Sequence, residues 1–425
     1  MIPREATPVS VIRPKPVRSR SSKIGSGRLE DLQSISKELN ILIESERWRQ
    51  ESGAGSFDRN MIKALAKKVI STVQQPEEQW VEQAALMSEV CVIRVFNDWK
   101  AFDMIPQEGS ISIKAWAEKL NAQEELIVRM SRILVATGTL QQVKDDGIMH
   151  TPLSKIYTNR HPAGLYFNTK FDIALVPGVG WVEYFEKFGR RVPEGITHTP
   201  FSIANNEPDK SSFEIIGMDQ QRVADFAQSM NIAMKSKAVT GFYNFDWIAE
   251  KGRKDKDRTL LVDVGGGSGG AVEAITKAHS GIDRARCIVQ DLNEVVESAH
   301  ETMSMEMRQV HMMAHSFWEQ QPVKGAICYF LRRIMHDYPD SKCTEILGHL
   351  VNAMAPDSRL LISDELLTRP PTLLGAQTDL SMLNIGGKER TKEDWLVLAS
   401  KSGLRVSGIF TSKENSMCVI ECTKA

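Results

Sequence analysis

The sequence has no apolar run near the ~20 residues that a bilayer-spanning helix requires, so no membrane span or membrane partner is expected. It also lacks charge of one dominant sign. Its 53 basic and 54 acidic side chains leave a formal net charge of −1, with no global field to draw the chain to nucleic acid or anionic lipid. Cysteine is scarce: Cys91, Cys287, Cys328, Cys343, Cys418 and Cys422 form no CxxC pair and no regular framework. That excludes a disulfide scaffold and points to buried, reduced thiols in a cytoplasmic protein. The first 28 residues lack an apolar secretory core, and Glu5 is their single acid against Arg4, Arg13, Lys15, Arg18, Arg20, Lys23 and Arg28. A segment so poor in apolar area cannot offset its ordering entropy, so residues 1–30 are expected to be a disordered basic tail, with a targeting peptide or docking arm as the alternative.

The 425 residues suffice for two or three domains. Ile62, Leu65, Ala66, Val69, Ile70 and Val73 recur at helical spacing until Pro76. A second helix, apolar on much of its surface, is expected over 77–102, buried in the chain or against a partner. Residues 108–155 resemble a winged helix. Ser112 opens one helix, Asn121 with Glu124 is a capping-box-like start for the next, and Lys144-Asp145-Asp146-Gly147 joins two short strands. The second helix carries Arg129 and Arg132 against Glu124 and Glu125, a poor phosphate-binding face that argues against DNA as a partner. Residues 160–245 carry a weak signal, with a helix expected near 220–235.

From Thr259 the pattern alternates strand and helix, with strands expected over 259–264, 286–290, 309–313, 326–331 and 359–363. A closing pair over 404–410 and 417–423 must be antiparallel, because its loop is too short for a parallel crossover. The expected fold class is therefore α/β: a C-terminal Rossmann-like domain with a mostly parallel sheet, preceded by an all-helical and winged-helix domain. Boundaries are expected near 30, 160 and 245, with residues 161–245 a helical connector lining a substrate pocket.

The stretch Val262-Asp263-Val264-Gly265-Gly266-Gly267-Ser268-Gly269-Gly270 lies where the first strand passes into a helix, and glycines there allow a tight turn and close backbone approach to a ligand. Asp291, ending the next strand, is placed to accept hydrogen bonds from ribose hydroxyls. The glycines at 265, 267 and 270 also satisfy a dinucleotide fingerprint, which keeps a nicotinamide oxidoreductase open. Asp263 sets an acid where a cation, not a pyrophosphate, would sit, and this favours a sulfonium nucleoside.

The run Tyr329-Phe330-Leu331-Arg332-Arg333-Ile334-Met335-His336-Asp337-Tyr338-Pro339-Asp340 resembles a hallmark of the plant and fungal small-molecule O-methyltransferases of the caffeate and sterigmatocystin type. Gly386-Gly387-Lys388-Glu389-Arg390-Thr391 resembles a second, and His150-Thr151-Pro152-Leu153-Ser154 and Asp291-Leu292-Asn293 agree in order and spacing. The resemblance covers residues 60 to 425. It implies S-adenosyl-L-methionine as cofactor, no metal, and a homodimer formed through the N-terminal region in which each partner helps line the other's pocket. It implies His336 as general base, Asp364 and Glu389 as its orienting acids, and Asp337 and Asn384 as substrate contacts. Asp263, Gly265, Gly267, Asp291, Phe317 and Arg332 become cofactor contacts. The implied activity is methylation of a hydroxyl on a small aromatic or polyketide-type secondary metabolite.

The chain departs from the pattern at Ser316, which stands in His315-Ser316-Phe317-Trp318 where family members usually carry an acid near the adenine. Serine still hydrogen-bonds but brings no charge. The alternative reading is therefore a methyltransferase-like enzyme that binds the cofactor yet catalyses dehydration or a pericyclic rearrangement, with the bound sulfonium a fixed positive charge. A winged-helix regulator that senses a metabolite would need a basic recognition helix, which the sequence does not supply. His311 and His315, four apart, are expected on a strand and the loop after it, not on one helix face sharing a metal.

Overall fold

The computed structural model describes residues 26–52, 59–235, 237–413 and 415–425, so most of the expected basic tail lies outside the described residues. The chain forms two compact units, Met1–Glu89 and Val90–Ala425.

In the first unit, α1 (Ser26–Ser52) packs on α2 (Arg59–Val73). Pro76 then opens a 3-10 turn, where its missing N–H costs nothing. Helix α3 (Gln79–Asp98) is shorter than the expected 77–102, because Phe102–Met104 forms a separate 3-10 turn. Its expected burial holds only for its later part: Ile93 and Phe96 are buried, while Trp80 and Met87 stand exposed.

Past α3, the second unit carries α4 (Ile113–Leu120), α5 (Glu124–Ala136) and an antiparallel sheet of β1 (Ile111–Ser112), β2 (Leu140–Val143) and β3 (Gly147–His150) in the order β1-β3-β2. Ser112 caps α4 as expected, its Oγ accepting the Ala115 N–H at 3.2 Å. Asn121 does not start the next helix. It ends α4 in the left-handed region (φ 50°), which asparagine tolerates, and Gln123 precedes α5. Phe96, Phe102, Trp116, Ile127 and Leu134 form the local core.

Six helices follow in the stretch where periodicity was weak: α6 (Pro162–Lys170), α7 (Val176–Val179), α8 (Trp181–Phe188), α9 (Pro200–Ala204), α10 (Ser212–Gly217) and α11 (Gln220–Lys235), with a π-helical turn at Phe171–Leu175. Local chemistry defines the short ones. Thr199 and Ser211 each anchor a capping box at a helix start.

After α12 (Asp246–Lys254) comes a seven-stranded sheet of β4 (Leu261–Val264), β5 (Cys287–Asp291), β6 (His311–Ala314), β7 (Cys328–Arg332), β8 (Arg359–Glu365), β9 (Leu404–Thr411) and β10 (Met417–Lys424). Its order is β6-β5-β4-β7-β8-β10-β9, parallel from β6 to β8, with β10 antiparallel to both neighbours. Helices α13 (Gly270–Ala278), α14 (Asn293–Thr302), α15 (Asp340–Ala353), α16 (Leu373–Ile385) and α17 (Lys392–Lys401) accompany it. Alternate side chains of the central strands enter two cores: Tyr329 and Leu331 pack with Met335, Ile346 and Trp395, whereas Cys328 and Phe330 pack with Phe245, Val272 and Ile275. Burial on both faces explains why these strands read as continuous apolar runs. Strand β4 neighbours both β5 and β7, and this reversal of strand order opens a crevice at the carboxyl ends, where open α/β sheets bind ligands. Five of the cysteines are buried thiols as expected; Cys91 is exposed.

Candidate active site

The glycine loop leaves β4 at that crevice. Gly265 and Gly267 adopt φ of +70° and +60°, the left-handed region that favours glycine. The N–H groups of Gly265 and Gly266 donate to the Gln290 carbonyl at 2.8 and 3.0 Å, which pins the loop to β5. A Cβ at Gly266 would lie 2.5 Å from Asp263 Oδ2, whereas one at Gly267 would meet nothing within 4 Å. The loop is therefore packed beneath and open above.

Asp263 is buried at 1% exposure, and neither carboxylate oxygen has a hydrogen-bond partner among the described residues. Burial pushes its carboxyl up to about 7, with Arg332 opposing the rise. Asp291 accepts the Gly267 N–H at 2.8 Å and the Leu292 N–H at 2.8 Å, so the acid expected to hold ribose also braces the loop. Burial raises its pKa as well. The Phe317 ring flanks Gly265 and packs on Trp318 and Tyr338, and the Ser316 Oγ accepts the Trp318 N–H at 3.4 Å. Arg332 donates to the Lys237 carbonyl at 2.8 Å. An open glycine cradle, an acid at the second strand end and an unpartnered buried carboxylate fit a cationic nucleoside, and these are the residues that would hold it.

The second centre lies one strand over, after β7. His336 is 4% exposed. Its Nδ1 is 2.9 Å from Glu389 Oε1, and its Nε2 is 3.3 Å from Asp337 Oδ1. Glu389 thus fixes the ring and assigns the proton to Nδ1, leaving Nε2 as the basic nitrogen. Burial and the Arg333 guanidinium oppose the imidazolium, but the carboxylates of Asp337, Glu389 and Asp364 outweigh them and hold the pKa above its ordinary value. Burial alone would raise Glu389, yet His336 and Arg333 hold it below the usual range. Asp364 is fully buried and neither of its oxygens has a hydrogen-bond partner among the described residues, so it acts on His336 through its field; burial lifts it to about 6. Of the two expected orienting acids, only Glu389 touches the ring.

The two sequence hallmarks meet in space. The Lys388 N–H donates to the His336 carbonyl at 2.8 Å. Arg390, fully buried, donates to the carbonyls of Met335 and Tyr338 at 2.8 and 3.0 Å and to Asp340 Oδ1 at 2.8 Å. One arginine therefore staples the His336 turn from both ends. Asn384 takes a different place from a free substrate contact. Its Nδ2 donates to the carbonyls of Ile173 and Ala174 at 2.9 and 3.3 Å, and its Oδ1 accepts the Trp181 indole N–H at 2.7 Å.

Sequence reasoning missed three cations beside the centre. Arg333, in the left-handed region at φ 59°, reaches Glu365 Oε1 at 2.8 Å and Glu389 Oε1 at 3.8 Å. Lys237 pairs with the same Glu365 oxygen, and burial brings its pKa down to about 7. Lys170 is brought down to about 8 by burial, and it feels Arg333, Glu389 and Asp337. Arg333 sits inside the quoted motif, where its charge was a usable signal; the lysines lie where the sequence pattern was weak.

The sequence matches the O-methyltransferase domain family over residues 190–405. Methyltransferase cfoD of Aspergillus candidus is 33% identical over 412 residues, covering 95% of this chain and 100% of its own. Among solved structures, OxaC in complex with SAH and oxaline aligns with a TM-score of 0.77 at 23% identity, covering 94% of this chain and 100% of its own. A pericyclic reaction enzyme aligns with a TM-score of 0.74 at 22% identity, covering 93% and 100%. At such identities the two structures speak for the fold. The domain match and the near full-length relative speak for the lineage: this chain belongs to the S-adenosylmethionine-dependent O-methyltransferase family.

Proposed function

We propose that this protein methylates a hydroxyl oxygen of a small aromatic or polyketide-type secondary metabolite, with His336 as general base. The observation that carries the reading is the pairing of His336 Nδ1 with Glu389 at 2.9 Å, which leaves Nε2, 3.3 Å from Asp337 Oδ1, as the proton acceptor one strand from the glycine cradle. When bound, S-adenosylmethionine supplies an electrophilic methyl group. The chain's own work is to hold the acceptor oxygen and to take its proton at Nε2. Asp337 steadies the imidazolium that forms, and Gly265, Gly267, Asp263, Asp291, Phe317, Ser316 and Arg332 form the cofactor cradle. Homodimerisation and a cytoplasmic location belong to the same reading. Among the described residues no helix is long and apolar enough to cross a membrane.

The test is a radiolabelled methyl-transfer screen against phenols and enols, comparing the protein with His336→Ala. A general base contributes ~10²–10⁴-fold, so the variant should lose that much turnover while still binding S-adenosylhomocysteine in a calorimeter. Unchanged turnover in His336→Ala sinks the role given to this histidine.

The three cations beside His336 and the uncharged Ser316 favour a second reading, in which the acceptor is rearranged or dehydrated and not methylated. In that case S-adenosylhomocysteine or sinefungin in the assay alters the rate without any methyl group entering the product.

A further inference from the structure

Lys170 ends α6 on the same face as Tyr166, one turn earlier, and its Nζ lies 5.6 Å from that ring. The other face of α6, with Leu165, Asn168 and Thr169, lines a separate polar cleft, so Lys170 points away from that cleft. Tyr166 and Lys170 instead lie in the field of Arg333, and Lys170 in that of Glu389 and Asp337 as well. The segment is anchored to the catalytic turn. Asn384 grips the carbonyls of Ile173 and Ala174, three and four residues past Lys170, and two residues after Asn384 begins the strip that carries Glu389. A basic residue at a helix end commonly serves the helix dipole in water. Lys170 is drawn inward, at a cost that burial of an unpaired ammonium always carries.

The three cations are not equivalent. Lys237 and Arg333 share Glu365. Lys170 has no ion-pair or hydrogen-bond partner among the described residues; Tyr166 supplies only a ring face. An ammonium that feels Glu389 and Asp337 but pairs with neither among the described residues lacks an anion at contact distance.

Resting on the methyl-transfer site described above, we propose that Lys170 is the specificity-determining residue for an acidic acceptor, an enol or phenol conjugated to a carbonyl, whose negative charge it binds. The acceptor O–H gives its proton to His336 Nε2, and the electron pair left behind is shared between that oxygen and the conjugated carbonyl oxygen. Lys170 faces the carbonyl end of this charge, and the hydroxyl end faces His336. No further reactant is needed for this step.

The test uses two probes on one skeleton: 4-hydroxycoumarin, a carbonyl-conjugated enol, and 6-hydroxycoumarin, a phenol whose hydroxyl is not conjugated to the carbonyl. Their binding to the full chain saturated with S-adenosylhomocysteine is measured at pH 7 by equilibrium dialysis, for the wild type, Lys170→Met and Lys170→Arg. The expected result is a preference of roughly tenfold or more for the enol in the wild type. Lys170→Met should lose it and Lys170→Arg should keep most of it, all three binding S-adenosylhomocysteine alike. If Lys170→Met fails to fold, Lys170→Gln is read in its place. A preference that survives removal of the ammonium overturns the proposal, as does a wild type that prefers the phenol, discriminates nothing or binds neither probe. These are equilibria, so a protein that prefers the enol but never methylates any acceptor would sink the methyl-transfer reading and leave Lys170 in its role. Methylation of neutral phenols with no dependence on Lys170 would do the reverse.

Discussion

His336 is caught between opposing forces, and their balance sets a pH dependence. Burial and Arg333 disfavour its proton; Asp337, Glu389 and Asp364 favour it and win, so the folded pKa stands above the ordinary 6.5. A base must be neutral to act. The fraction of working enzyme therefore rises with pH through a midpoint above 6.5, later than an unperturbed histidine would allow. Glu389→Gln removes one of the charges that retain the proton, and the midpoint should fall. The same change loosens the ring's hold on its tautomer, so the plateau should fall also, by about tenfold or more. The check is the pH profile of kcat/KM for both forms. An acid limb that stays in place when the Glu389 charge is gone would show that the limb belongs to another group. For stability the sign is opposite: a histidine with a raised folded pKa stabilises the fold below its unfolded pKa, and that contribution is lost as pH climbs through the folded value.

At the scale of elements, the site depends on one side chain that joins two loops. Arg390 holds the carbonyls of Met335 and Tyr338 on either side of His336, and its guanidinium lies 5.2 Å from the Trp395 ring centroid. Arg390→Met would leave the two carbonyls only weaker donors such as the Cys343 thiol in a dry interior, costing about 1–3 kcal/mol. Lys cannot reproduce the fork, so Arg390→Lys should recover little. The expected signature is a lower urea midpoint together with a loss of turnover larger than the loss of cofactor affinity, because the glycine cradle is built on other strands. Equal losses in both would place the damage in the whole sheet. Much of this element level was legible in the sequence. The β/α alternation and the antiparallel ending came from period and loop length, and the motif residues placed His336 beside Glu389. Other features were not legible, each for a physical reason. Asn121 looked like a helix start because asparagine serves either helix end, and only its positive φ decides. Asp364 looked like a second holder of the ring, but neither of its oxygens hydrogen-bonds any described residue, which side-chain placement on the folded strand decides and residue type does not. Lys170 ends the nine-residue α6 and Lys237 lies past the end of α11, so neither falls where helical periodicity could mark it as inward-facing.

For the whole molecule, the first unit raises a question of cover. Its described residues include two buried apolar side chains, Ile35 and Leu65, although α1 alone runs 27 residues. So small a core does not offset the entropy of ordering two long helices. The same unit holds Leu29, Ile41, Met61, Trp80, Leu86 and Met87 at half exposure or more. Isolated exposed apolar residues are ordinary; this many beside so few buried ones among the unit's described residues call for a partner surface. A second copy of the chain is the partner expected, in keeping with a dimer formed through this region. Sedimentation equilibrium should then return twice the chain mass at micromolar concentration, and Trp80→Glu combined with Met87→Glu should return one. The charged pair costs the monomer little, because both positions already face water in the single chain. If the second copy also lines the substrate pocket, the dissociated variant should bind S-adenosylhomocysteine normally and lose its acceptor, since the glycine cradle belongs to one chain. A wild type that sediments as a monomer would overturn the assignment, and the exposed residues would then await a different partner.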